Sequence, residues 1–160
     1  MSQEGKGTGK RMIRQKEKAF TLIEIMVVVA IVATLAALAV SSMLRSRMNA
    51  NEVAAIAGCR NISTGNQNFY GNSNPHTYPS ALTDLTSPTS NPAYIDSVLA
   101  TGTRQGYIYS HVLVDAEHFR LNADPVNSGT TGTRHFFVDQ TGVLRANATV
   151  AATASDPPVE

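Results

Sequence analysis

The chain has 160 residues, 13 Lys and Arg against 12 Asp and Glu, and a single cysteine. A balance this close to neutral gives no reason to expect nucleic-acid binding. One cysteine excludes an intrachain disulfide, and no nucleophile elbow, P-loop or dinucleotide fingerprint points to an enzyme.

Charge is unevenly placed. Residues 1–19 hold Lys6, Lys10, Arg11, Arg14, Lys16 and Lys18 against only Glu4 and Glu17. The run that follows, Phe20 to Val40, is 21 residues long, and Glu24 is its only charge. At ~1.5 Å rise per residue it spans a hydrocarbon core of roughly 30 Å. The basic bias predicts an N-terminus held in the cytoplasm and a C-terminal part carried across the membrane.

An ordinary secretory signal puts its small-residue cleavage site after the apolar core. Here the small residue precedes the core, in Lys18-Ala19-Phe20, whereas SSMLRSRM after it is a poor site. Cleavage between Ala19 and Phe20 would remove the leader and keep the helix. It would also create an α-amino group about one turn from Glu24, a spacing at which amine and carboxylate pair within a chain or between staggered neighbours. An acid inside lipid costs on the order of 2.5–3.5 kcal/mol on insertion scales at mid-membrane. It therefore calls for a partner and a role. Without the leader, seven basic and ten acidic residues remain, and no lysine.

The segment KAFTLIEIMVVVAIVATLAALAV, Lys18 to Val40, resembles the N-terminus of type IV prepilins and type II secretion pseudopilins. The resemblance implies cleavage at Ala19–Phe20 by a prepilin peptidase and N-methylation of Phe20. It further implies that Glu24 meets the N-terminus of a neighbouring subunit as a filament assembles. The partners it implies are other copies and other pilins, the peptidase/methyltransferase, the assembly platform with its ATPase, and the inner membrane. No cofactor and no metal is implied by the motif. Two positions depart from the family: Ala19 where Gly is preferred before the cut, and Ser41 where most members carry Pro, with Ala33 often Gly. The expected location is a single-pass inner-membrane protein before assembly, then a surface pilus or a periplasmic pseudopilus. A type IV pilus subunit is the leading reading; a secretion pseudopilin or a non-polymerising, signal-anchored binding module is the alternative.

No proline occurs before Pro75, and small or apolar residues recur at three- and four-residue steps from Met48 through Ala55, Cys59 and Ile62 to Phe69. This predicts one helix over 20–70, with 20–40 in the membrane and the rest carrying a headgroup over 71–147. Gly58 and Gly65 weaken such a helix by ~1 kcal/mol each relative to Ala, so packing must hold it. Residues 71–92 read as an irregular connection pinned by Tyr78, Pro79, Leu82 and Leu85, and 93–101 as a helical turn or an extended segment. Strands are predicted at 105–114, 117–123, 133–139 and 142–147, with a tight turn at Asp139–Gly142. The fold class is α+β: a long helix laid on an antiparallel sheet of three or four strands. SGTTG (128–132) reads as a flexible loop and 148–160 as a flexible tail. Residues 94–147 also resemble the C-terminal domain of a large group of bacterial pilin-like proteins.

Four histidines, His76, His111, His118 and His135, lack metal-ligand spacing. Asp139, Gln140 and Thr141 are too few acids for a calcium loop. Arg104, Arg120, Arg134 and Arg145 would form an anionic-partner site only if they converged on one face. Asn61 and Asn147 each open a glycosylation-type triplet.

Overall fold

The computed structural model describes residues 20–86 and 89–159. The leader 1–19, and with it Ala19, lies outside the described residues. Helix α1 covers Leu22–Asn72, and the chain divides after Ala39 into two units.

The first unit is helix from Leu22 onward, preceded by Phe20 and Thr21. Its described side chains are exposed throughout; twelve large apolar ones from Phe20 to Leu38 are more than half exposed. At ~1.5–3 kcal/mol per buried side chain, this stripe represents on the order of 20–40 kcal/mol of unrealised burial. Water is therefore an unsuitable solvent for it.

The second unit starts at Val40 and is built on the rest of α1. One face is buried: Glu52, Ala55, Gly58, Cys59, Ile62, Ser63, Gly65 and Asn66, the three-and-four spacing of the predicted stripe. The helix ends at Asn72, where Ser73 N–H donates to Phe69 O (2.9 Å) and the Asn72 amide donates to Asn68 O (2.8 Å). These side chains and turns satisfy carbonyls that a helix end leaves open, and Pro75 prevents continuation.

Five antiparallel strands follow in meander order: β1 (Thr103–Arg104), β2 (Tyr107–Asp115), β3 (His118–Pro125), β4 (His135–Asp139) and β5 (Arg145–Asn147). Four lie where alternation placed them. The fifth, β1, is a two-residue strand joined to β2 by Gln105-Gly106, both at positive φ (46° and 76°), as a tight hairpin requires. The inner face carries Tyr107, Tyr109, Phe119, Leu121, Ala123, Phe136 and Val138, all buried. They pack with Ala55, Cys59 and Ile62 of α1. Between α1 and the sheet, Tyr78, Pro79, Leu82 and Leu85 are buried as predicted, with a 3₁₀ turn at Leu82–Leu85 and a single helical turn, α2, at Ser97–Ala100.

Gly58 explains itself here. A Cβ at that position would lie 2.8 Å from Tyr109 Cζ and closer still to its hydroxyl. The missing side chain lets helix and strand approach.

Two expectations are corrected. The SGTTG segment is tied down: Asn51 donates to Thr131 O (2.8 Å), Tyr107 Oη donates to Arg134 O (2.9 Å), and Gly132 sits against the Tyr107 ring. The stretch after Asn147, read from its composition as a flexible tail, folds back on the sheet. Ala152 is 2% exposed and its carbonyl accepts from Asn122; Val159 N–H donates to Leu144 O (2.8 Å) beside a Pro158–Arg145 bridge. Small polar and alanine-rich composition hid this, because backbone and single-carboxylate bonds hold the segment rather than an apolar pattern.

Candidate functional site

Thr21 precedes the first helical residue, and Glu24 closes the first turn of α1. Glu24 Oε2 accepts from Thr21 N–H (2.8 Å) and from the Thr21 hydroxyl (2.7 Å), and Glu24 N–H donates back to Thr21 Oγ1 (3.3 Å). This reciprocal arrangement is a capping box. The negative charge also stands at the positive end of the helix dipole. Among the described residues Oε1 accepts no hydrogen bond. Phe20, one residue before the cap, is 79% exposed.

The acid is thus not left bare by the chain itself. Its own cap holds it at the very end of the helix, beside the backbone that joins Phe20 to Thr21. Sequence reading placed Glu24 and Phe20 but missed Thr21 as the residue that orients the carboxylate. The signal was present in the pattern Thr21-Leu22-Ile23-Glu24, a hydroxyl followed three residues later by an acid ahead of an apolar run.

Among the described residues one helix, α1, is long and apolar enough to cross a membrane, and none of its apolar window is buried. Such a segment fits membrane anchoring.

The four arginines do not converge. Arg104 pairs with Asp96 (3.3 Å), Arg134 with Glu52 (2.7 Å), and Arg145 donates to Asp156 O (2.8 Å). Of the four, Arg120 and Arg145 have no ion pair among the described residues. Among those residues, no three of His, Cys, Asp and Glu group as a metal ion would need. Asn147 spends its amide on Asp156 Oδ1 (2.8 Å) and its carbonyl on Thr149 and Val150, so its triplet is a turn. Burial, with the Asp124 carboxylate adding to it, pushes the Cys59 thiol up to about 12, which leaves it an unreactive core residue.

Glu52 is the second residue that sequence reading undervalued. It lies on the buried face of α1, where an acid needs partners. Burial raises its pKa, but hydrogen bonds from Thr133 and from Arg134 outweigh that and hold the carboxyl below its ordinary value.

An apolar helix opening on a capped acid, followed by an antiparallel sheet domain, is the arrangement expected of a pilin-like protein. Residues 14–40 match the family model for the prokaryotic N-terminal methylation motif. That match supports a type IV prepilin- or pseudopilin-like protein. No curated protein and no solved structure matches it.

Proposed function

We propose that this chain is a structural subunit of a type IV pilus-like filament. Residues 1–19 form a basic leader that prepilin peptidase removes between Ala19 and Phe20. Phe20 is then N-methylated. Residues 20–70 form the assembly helix, with 20–40 stored in the inner membrane, and 71–147, with the folded-back 148–159, form the headgroup on the non-cytoplasmic side. An assembly platform and its ATPase supply the work of extraction.

The mechanism is charge-selected packing. In a low-dielectric bundle an unpaired carboxylate is costly, and breaking one buried pair costs ~3–5 kcal/mol. The free α-amino group of one copy is therefore drawn to the Glu24 of its neighbour, which sets the depth at which each helix docks. The apolar stripe supplies the adhesion, and Glu24 supplies the register.

The observation that carries this reading is the placement of Glu24. Its carboxylate is held at the helix end by Thr21, the residue after Phe20. The exposed stripe and the motif match support the same reading. Mass spectrometry of the mature protein tests it. A chain beginning at methylated Phe20 is expected. An intact leader would make the chain a signal-anchored module, and a cut beyond Val40 would make it an ordinary exported protein. A secretion pseudopilin shares the processing and would be separated by dependence on a secretion-specific outer-membrane gate.

A further inference from the structure

The far end of the chain closes the sheet. β5 has β4 on one side; on the other, Ala146 N–H donates to Pro157 O (3.2 Å) and Val159 N–H donates to Leu144 O (2.8 Å), around the Arg145–Pro158 bridge. Residues 157–159 thus lie along the free edge of β5 as a short edge segment around one isolated bridge, and Val159 packs against the core. Pro157 and Pro158 have no N–H, so the outer edge of this segment offers no donors at those positions for another strand.

The connector from Ala148 to Asp156 contains no helix or strand. It crosses the outer face, where the Asn122 amide donates to Ala152 O (2.9 Å), and is pinned at its far end by Asp156. Asp156 Oδ2 accepts from Thr153 N–H (2.7 Å) and Thr153 Oγ1 (2.9 Å), Oδ1 accepts from Asn147, and the Asp156 carbonyl takes Arg145. No covalent link holds the segment, since Cys59 is the only cysteine.

We propose that residues 157–159 are an exchangeable edge segment, which leaves its own β5 and pairs with the β5 of an adjacent copy, Asp156 acting as the latch. Every contact made within a chain is available unchanged between chains, because the edge and its occupant come from the same sequence. What decides between the two is concentration. A short flexible tether gives its own segment an effective concentration of about a millimolar. Copies held side by side in a membrane or filament compete at that level, whereas dilute chains do not. This part of the argument rests on the filament reading. The paired prolines would keep exchange between neighbours from running on into a stacked sheet.

Cross-linking tests the exchange, in full-length chains carrying Cys59→Ala. Arg145→Cys and Pro158→Cys together give a within-chain disulfide under mild air oxidation, which shows that the pair can bond. The decisive sample co-expresses Arg145→Cys chains with Pro158→Cys chains. In filaments the expected result is a mixed dimer at several times the like-with-like dimers of either chain alone, and a further several-fold increase with Asp156→Ala. Filaments with no excess of mixed dimer would overturn the exchange and leave the filament reading standing. If no filament forms, that reading fails separately, and the same mixture at millimolar concentration in detergent decides the exchange: excess mixed dimer supports it, and none overturns it.

Discussion

Glu52 and Arg134 lie 82 positions apart in the chain, and the Arg134 Nε is 2.7 Å from Glu52 Oε2. The other oxygen, Oε1, accepts from Thr133 N–H and hydroxyl, both at 2.9 Å. One carboxylate on the helix therefore holds the end of the β3–β4 connection at Thr133 and Arg134. Removing it leaves several donors without an acceptor at a site only 8% exposed on the Glu52 side.

Glu52→Ala is expected to lower stability by ~1–3 kcal/mol, the cost of unsatisfied buried donors. Because the folded-state pKa lies below the ordinary 4.5, the contribution is complete above that value and is lost as pH falls through the folded pKa. Urea unfolding in detergent at neutral and acid pH checks both parts. The gap between wild type and variant should narrow in acid; a constant gap would refute the charge's role.

Gly58→Ala pits two effects against each other. Ala gains ~1 kcal/mol of helix propensity, but its Cβ would stand 2.8 Å from Tyr109 Cζ, and overpacking costs ~1–3 kcal/mol. A net loss in thermal stability is expected. Adding Tyr109→Phe, which removes the nearest atom, should recover part of it, so the two changes are non-additive in a double-mutant cycle. Strict additivity would mean that the hydroxyl is not what limits the approach.

His111 stacks on Phe119 at 5.6 Å, and neither ring nitrogen has a hydrogen-bond partner among the described residues. Burial depresses its pKa below 6.5, with Asp84 pulling weakly the other way. A base with a depressed folded pKa stabilises the fold fully above its unfolded value, and this is lost as pH falls from 6.5 toward the folded pKa. The urea midpoint of the wild type should therefore drop between about pH 7.5 and 5.5 more than that of His111→Phe, which cannot titrate. Equal drops would place the pH dependence elsewhere.

Much of this was legible in the chain. The period of the stripe from Glu52 to Asn66 survives in the structure because α1 has one packed face there. Alternation located β2 to β4 because one side of each strand is core. β1 was illegible at two residues, since its pairing depends on the Gln105-Gly106 turn rather than on any pattern of its own. The C-terminal segment was illegible for a different reason. What fixes it is Asp156 meeting Thr153, Asn147 and Arg145, and a lone acid among alanines carries no periodic signal. At the N-terminus the acid stood out by its cost, while its holder, Thr21, looked like one more tolerated polar residue.

Charge at Glu24 is the centre of the account, and two substitutions isolate it. Glu24→Gln keeps an oxygen for the Thr21 cap but loses the charge; Glu24→Val loses both. The measurement is filament yield at matched amounts of membrane-inserted, leader-free protein. Both variants should insert as well as wild type and both should fail to assemble in register. Normal filaments from Glu24→Gln would show that the cap, and not the charge pair, is what the acid provides.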